Sequence, residues 1–275
     1  MNGRLDAGRL ISLTLCCLGT ATNCLAISEQ EVAAMAEKAA RADVTEYVKA
    51  RDDLVEAARQ NLEVVKNAKR LTATWQLDVV YGVAIEHMEK ANRIKDLTSR
   101  FPQPPQSREE STRIIGQGQA LVERAADVPY FLVEQLWKTS AATHYERTAS
   151  LAYALGKARS SAAREPIEAL MTNEYPCVRY FAACALKDIA DPKSTPVLFD
   201  YMVNGYLSNE FVDRSHAAAG DAFSVCARKD FLPTVKAKLK ESEEDPQSEG
   251  DGEILKRQRN ALRAFLQVTI LALEK

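Results

Sequence analysis

The stretch Pro176-Cys-Val-Arg-Tyr-Phe-Ala-Ala-Cys-Ala-Leu-Lys-Asp-Ile-Ala-Asp-Pro192, followed after three intervening residues by Pro196-Val-Leu-Phe-Asp-Tyr-Met202, decides the fold. A proline in the first turn, a run of strong helix formers and a closing Asp-Pro describe one helix with both ends marked. The second proline opens another. This unit has counterparts along the chain. Arg113, Arg147, Arg179 and Arg214 recur at steps of 34, 32 and 35 residues, each opening an Ala-rich apolar stretch. Pro129, Pro166, Pro196 and Pro233 come after these stretches, at steps of 37, 30 and 37. A period in this range belongs to helical repeat arrays, where each unit buries its apolar face against its neighbours.

The best unit resembles the HEAT repeat, and within it the HEAT-like type named after phycobilisome lyases. In that type a Val-Arg pair opens an Ala-rich second helix ending Ala-Leu-Gly, and a turn with Asp-Pro leads to the next first helix. Val178-Arg179, Ala185-Leu186 and Asp191-Pro192 match this pattern, as does Ala154-Leu155-Gly156 one unit earlier. The unit at Val212-Asp213-Arg214 has Gly220-Asp221-Ala222-Phe223 where Ala-Leu would stand, and the unit at Arg113 keeps Ala120-Leu121. The resemblance covers roughly Arg113 to Lys240. It implies a short α-solenoid of about four units that binds a protein or peptide, with the arginines as framework residues. Each guanidinium is then expected on carbonyls or carboxylates at the turn before its own helix or in the next unit. Asn173-Glu174, Glu210 and Asp213 are near enough in sequence to serve. The competing reading of the same residues is a basic ladder for an acidic or phosphorylated partner.

The N-terminal third reads differently. Residues Ser28 to Arg100 are almost wholly helix-forming, and Ser28 with Glu31 makes a capping box. Val44, Val48, Val55, Ala58, Leu62 and Val65 form a heptad seam, and Leu77, Val80, Ala84, Met88, Ala91 and Ile94 a second stripe. As one rod these 73 residues would run about 110 Å. A break between Lys69 and Leu77 is therefore expected, giving an antiparallel helical hairpin. Phe101-Pro-Gln-Pro-Pro-Gln-Ser107 ends it as an extended connector and candidate boundary. The expected divisions are 1–26, a signal peptide; 27–106, hairpin and connector; 107–240, HEAT-like repeats; 241–253, an acidic flexible loop; and 254–275, a capping helix.

The signal-peptide expectation rests on Arg4 and Arg9 before the apolar run Leu10–Ala21, with small residues leading to Ala26. A run of twelve residues is too short to span a bilayer, for which about 20 are needed. Export, to the periplasm or medium, follows. Removing that segment leaves Cys177, Cys184 and Cys226, an odd number and no complete disulfide framework. Cys177 and Cys184 lie about 10 Å apart along one helix and cannot be bridged; Cys184 with Cys226 stays possible, against three small buried thiols.

At the other end, Glu241 to Glu253 holds seven acidic residues and no basic one, the composition of a solvated loop. Lys236, Lys238 and Lys240 before it and Lys256, Arg257 and Arg259 after it neutralise it locally, or let it act as a lid over a basic surface. The last stretch places Leu255, Leu262, Phe265, Leu266, Ile270 and Leu273 as an amphipathic cap for the open end of the array.

Chemistry-bearing motifs are sparse. The net charge of −2 gives no bulk attraction for nucleic acid or an anionic membrane. His87, His144 and His216 have no second ligand at metal spacing; Glu86-His87-Met88-Glu89 reads as a charged helix face and His216 as a packed side chain. Gly116-Gln-Gly118 sits inside a helical pattern with no preceding strand and is a weak phosphate cradle. The expectation is therefore an all-α, non-enzymatic exported scaffold with no cofactor, no metal, no nucleic-acid partner and no membrane span, binding a protein or peptide. Two alternatives accompany it: the resemblance admits a bilin-lyase-like enzyme or subunit, and the Val44–Val65 seam admits a homo-oligomer through residues 29–98.

Overall fold

The computed structural model describes residues 27–103, 105–138, 141–207, 214–244 and 253–275, which form helices and no strand. The chain is all-α. The signal-peptide expectation falls on residues 1–26, outside the described residues.

Five helices precede the connector: α1 (Glu29–Arg41), α2 (Val44–Gln60), α3 (Leu62–Arg70), α4 (Trp75–Glu89) and α5 (Ala91–Ser99). The Ser28–Glu31 capping box opens α1, with Glu31 Oε2 accepting from Ser28 N at 2.9 Å. The break expected between Lys69 and Leu77 is the turn from Leu71 to Thr74. The simple hairpin is nevertheless corrected, because short polar side chains interrupt the helical run elsewhere. Asp43 Oδ1 accepts from Glu46 N at 2.9 Å and Asn61 Oδ1 from Val64 N at 3.3 Å, each restarting a helix. The heptad seam is corrected too: Val55, Ala58 and Val65 are buried within the chain's own core, whereas Val48 is 46% exposed.

Helix α4 is central. Val80, Tyr81 and Ala84 face a core shared with α1–α3, while Val79 and Val83 face the larger core that runs on to the C-terminus. A helix apolar on both sides must be buried on both. That larger core, with Ile94 and Leu97 of α5, continues into Leu121, Leu132, Leu155 and Leu186. The apolar interior is thus continuous across the connector.

After it come α6 (Glu110–Asp127), α7 (Pro129–Lys138), α8 (Ala141–Lys157), α9 (Arg164–Ala169), α10 (Pro176–Ile189), α11 (Thr195–Leu207), α12 (Arg214–Cys226), α13 (Leu232–Glu244) and α14 (Glu253–Glu274). Prolines open or enter α7, α10, α11 and α13; Pro166 lies inside α9, after a 3-10 turn at Ser161–Ala163. Helices α6, α8, α10 and α12 pack each against the next in that order. Small residues permit close contact: a Cβ on Gly156 of α8 would lie 2.5 Å from the Ala185 Cα of α10. Helix α14 packs on α11 and α13, burying Leu262, Leu266 and Thr269. Leu255, expected to join them, is 41% exposed. The acidic stretch is helical at Glu241–Glu244, which closes α13, and at Glu253, which opens α14; residues 245–252 are outside the described residues.

Candidate interaction face

The repeated arginines anchor turns. Arg179 Nη1 donates to the carbonyls of Asn173 (2.8 Å) and Glu174 (3.1 Å), and its Nε donates to the Tyr201 hydroxyl of α11 at 3.2 Å. Arg113 Nη1 donates to the Ser107 carbonyl at 2.7 Å and its Nε to Glu146 of α8 at 3.2 Å. Both sit as the framework reading expects. Arg147 reaches backwards, donating to Gln135 Oε1 at 3.1 Å with its guanidinium 4.1 Å from the Phe101 ring centre. Arg214 is exposed at the start of α12, and its suggested partners Glu210 and Asp213 are outside the described residues.

A fourth anchored arginine escaped the sequence pattern. Arg164 of α9 bonds Glu168 at 2.8 Å and approaches Asp191 at 3.3 Å. Asp191 in turn accepts from Lys193 N at 2.9 Å, so the Asp-Pro turn is fastened to the preceding unit. The signal was present in the spacing of Arg164, Glu165 and Glu168 on one short helix.

Side chains link successive helices of the α6–α8–α10–α12 layer as rungs. Arg113 meets Glu146, Tyr153 donates to Gln119 Oε1 at 3.2 Å, and Ser150 donates to Gln117 Oε1 at 3.0 Å. Lys157 pairs with Asp188 at 2.8 Å and Lys187 with Asp221 at 2.9 Å. The Arg113, Tyr153 and Lys187 rungs span 33, 34 and 34 residues, the period of the sequence itself. Gly118 belongs to this packing, since a Cβ there would lie 2.9 Å from the Ser150 carbonyl oxygen. Gly116 lies against the connector, where a Cβ would come 2.8 Å from Pro105 Cγ, so both glycines have a packing role.

On the same layer lies an aromatic strip. Tyr145, Tyr153, Tyr175 and Tyr180 are half-buried over a small core of Ile114, Ala149, Val178 and Phe181. Tyr145 and Tyr175 stack at 4.8 Å, and Phe181 takes Tyr180 edge-on at 5.1 Å and Tyr153 at 6.2 Å. At one end Tyr145 also lines a cavity of about 370 Å³ with Phe101, Pro102, His144 and Arg147. The connector is held there by Gln117 Nε2, which donates to the Pro102 carbonyl at 2.8 Å. Helix α8 is kinked at His144 (φ −141°, ψ 41°), which leaves that imidazole exposed at the cavity rim.

Cys177 and Cys184 are half-buried on this face and Cys226 is buried beneath α10; all three are free thiols, so a Cys184–Cys226 bridge is not formed. Burial pushes the Cys177 thiol up to about 11, with Glu110 adding to it, and burial also raises Cys184. Thiols held protonated are poor nucleophiles. The face offers stacking surfaces, hydroxyl groups and fixed charges. Among the described residues no group of three or more His, Cys, Asp or Glu side chains could hold a metal ion.

The Glu86–Glu89 stretch requires a correction. Glu86 is buried, accepting from Tyr130 N at 3.1 Å and Phe131 N at 2.8 Å, and so caps the N-terminus of α7 from across the interior. Burial pushes its carboxyl up to about 7, against the pull of those two bonds. His87 stands 6.0 Å from Phe131, and burial holds its imidazole down to about 4, reinforced by the Arg51 charge. Its Nε2 has no hydrogen-bond partner among the described residues. Beside them Arg51 of α2 donates to buried Glu134 of α7 at 3.3 Å. His216 stacks on Tyr201 at 4.7 Å, a packed position as expected. No helix is long and apolar enough to cross a membrane among the described residues. No family model, no curated protein and no solved structure matches the chain.

Proposed function

We propose that the chain is a non-enzymatic, exported HEAT-like α-solenoid that holds a protein or peptide partner on the face of α6, α8, α10 and α12. The observation that carries this reading is the strip of Tyr145, Tyr153, Tyr175 and Tyr180, half-buried and laid over a layer whose helices are cross-linked by side-chain rungs. Tyrosine combines large apolar area with a hydroxyl and few rotatable bonds, so it is enriched where proteins bind. The rungs fix the strip before any partner arrives, which reduces the ordering cost of binding. The succession α6–α8–α10–α12 and the rung period both suit a solenoid reading.

The test is photo-crosslinking in the native organism, with a benzophenone amino acid in place of Tyr153 or Tyr180 and, as control, of Leu71, which is 79% exposed in the turn between α3 and α4. A discrete adduct from the two tyrosine positions and none from Leu71 is expected. Adducts only from Leu71, or none from either tyrosine in cells that express the protein, would overturn the assignment of the face. Export is tested separately by N-terminal sequencing: the exported chain should begin near Ile27, and a full-length cytosolic product would refute it.

A further inference from the structure

Seven large apolar side chains stand exposed among the described residues, and four of them, Ile254, Leu255, Val268 and Leu271, are on α14. Ile254, Val268 and Leu271 are 65%, 66% and 61% exposed. The inward face of α14 is already occupied, since Leu262, Leu266 and Thr269 are buried on α11 and α13. The outward face carries a second seam. Ile254, Arg257, Ala261, Ala264, Val268, Leu271 and Lys275 follow steps of 3, 4, 3, 4, 3 and 4 residues. All seven are exposed. Such spacing over 22 residues is that of a helix that meets another helix. A cap that closes an array is expected to be polar outside. This one is apolar on both sides, and an exposed apolar stripe on an outer face marks a contact surface.

We infer that α14 pairs antiparallel with α14 of a second copy of this chain. The small side chains of Ala261 and Ala264 lie at the middle of the seam, where a two-fold axis brings two backbones closest, and the larger Ile254, Val268 and Leu271 lie to either side. The charges decide the direction. A parallel pair sets Arg257 on Arg257 and Lys275 on Lys275 at the seam. An antiparallel pair centred between Ala261 and Ala264 sets Ile254 against Leu271, seats each Arg257 beside Val268 instead of a second arginine, and brings Lys275 of one copy within a turn of Glu253 of the other. The in-helix Arg257–Glu253 pair (2.6 Å) is exposed and exchanges readily for a partner across the seam; Glu274 keeps its bond to Lys236 at 2.8 Å. The antiparallel arrangement also opposes the two helix dipoles. A lipid surface fits less well. The residues flanking the seam at intervals of seven on its solvent side, Glu253, Asn260, Gln267 and Glu274, carry two carboxylates and no cation, and the exposed basic residues Lys256, Arg257 and Lys275 gather at the two ends instead of forming a row along it.

Sedimentation equilibrium of the full chain over a hundredfold range of concentration tests the pairing. A reversible monomer–dimer equilibrium is expected, abolished in Leu271→Glu and in Val268→Glu. Both sites are exposed, so dilute samples of each variant should melt at the temperature of the equally dilute parent. Orientation is read by mixing Ile254→Cys protein with Leu271→Cys protein and adding a short bismaleimide. The mixture should give a covalent dimer beyond the unsubstituted background, and each variant alone should not. A parent monomeric at every concentration, or a dimer that survives both glutamate substitutions, would overturn the inference. So would cross-linking of each variant with itself, or monomers that bind vesicles of equal parts phosphatidylglycerol and phosphatidylcholine through these residues.

Discussion

Replacing Arg51 with Met leaves the Glu134 carboxyl in the interior without its principal counter-charge. The Glu134 side chain is 2% exposed, and Arg51 Nη1 lies 3.3 Å from its Oε1. Tyr47, Lys138 and Asp52 lie near enough to act on the pair, and His87 feels the Arg51 charge. Burial raises the Glu134 carboxyl above the ordinary range, and Arg51 is the largest influence pulling it back. Without Arg51 the group escapes by keeping a proton on folding, and this escape bounds the loss. With an unfolded pKa of about 4.3 and about 1.4 kcal/mol per pH unit, staying protonated at pH 7 costs at most about 3.7 kcal/mol. That bound lies within the range of about 3–5 kcal/mol typical of a broken buried pair. The sign follows from linkage: a carboxyl raised above its unfolded value loses stability as pH rises. The stability gap between Arg51→Met and the parent should therefore widen by up to about 1.4 kcal/mol per pH unit between about pH 4.5 and 7. Urea unfolding at pH 4.5, 5.5 and 7 measures it. Arg51→Met/Glu134→Met should recover most of the loss, since apolar replacement of a whole buried pair is close to neutral. A gap that does not change with pH, or a double variant no more stable than the single one, would refute the reasoning.

Glu86 and His87 pull stability in opposite directions: the raised Glu86 carboxyl loses it as pH climbs from about 4.5 to 7, and the depressed His87 imidazole gains it from about 4 to 6.5. Glu86→Gln should therefore leave a chain whose urea midpoint rises with pH across 4–6.5 more steeply than the parent's; an unchanged pH profile would count against a buried, titrating Glu86. Arg179→Ala should lower stability by roughly 1–3 kcal/mol, because it strips donors from two turn carbonyls, whereas exposed Arg214→Ala should change it by less than about 0.5 kcal/mol. Equal effects in thermal melts would mean that the arginines do not act as framework residues. Ala190 closes α10 in the left-handed region (φ 58°), so Ala190→Gly should raise stability by about 0.5–1 kcal/mol after the entropic cost of glycine. A lower midpoint there would contradict that conformation.

The half of the chain with a period was legible. Helix starts at Pro129 and Pro176 and the turn contacts of Arg113 and Arg179 follow from residues that act on their own neighbours; the break near residue 72, in the other half, follows only from the length of the helical run. The other half was misread at particular residues. Asp43 and Asn61 have unremarkable helix propensities and sat within strongly helical composition, yet each side chain accepts the N–H three residues on and restarts the helix. Glu86 looked like surface because its partners lie 44 and 45 residues away on the backbone of α7. Arg51 and Glu134 are 83 residues apart, and Lys69 and Tyr130 61. Contacts at such unrelated distances leave no spacing in the text.

The same contrast separates two ways of holding helices together, and it bears on what the face can do. In the α6–α12 layer each helix is tied to the next through rungs of 31 to 34 residues, so stability there accumulates from neighbour to neighbour. A partner laid along Tyr145, Tyr153, Tyr175 and Tyr180 would touch α8 and α10 and add one more link of the same kind. At the N-terminal end the links are few, long-range and charged: Glu86 on the α7 N-terminus, Arg51 on Glu134, and Lys138, seated 3.8 Å over Trp137, on the Ala42 carbonyl. Each joins the first five helices to α7, directly beside the layer that carries the face. Ionisable groups there set the order of α7 and hence of the first rung-bearing helices, α6 and α8, against which it packs. Loss of the Arg51–Glu134 pair should therefore loosen the α7 end of the layer first, so that amide exchange rises in α7 and α8 before it rises in α12.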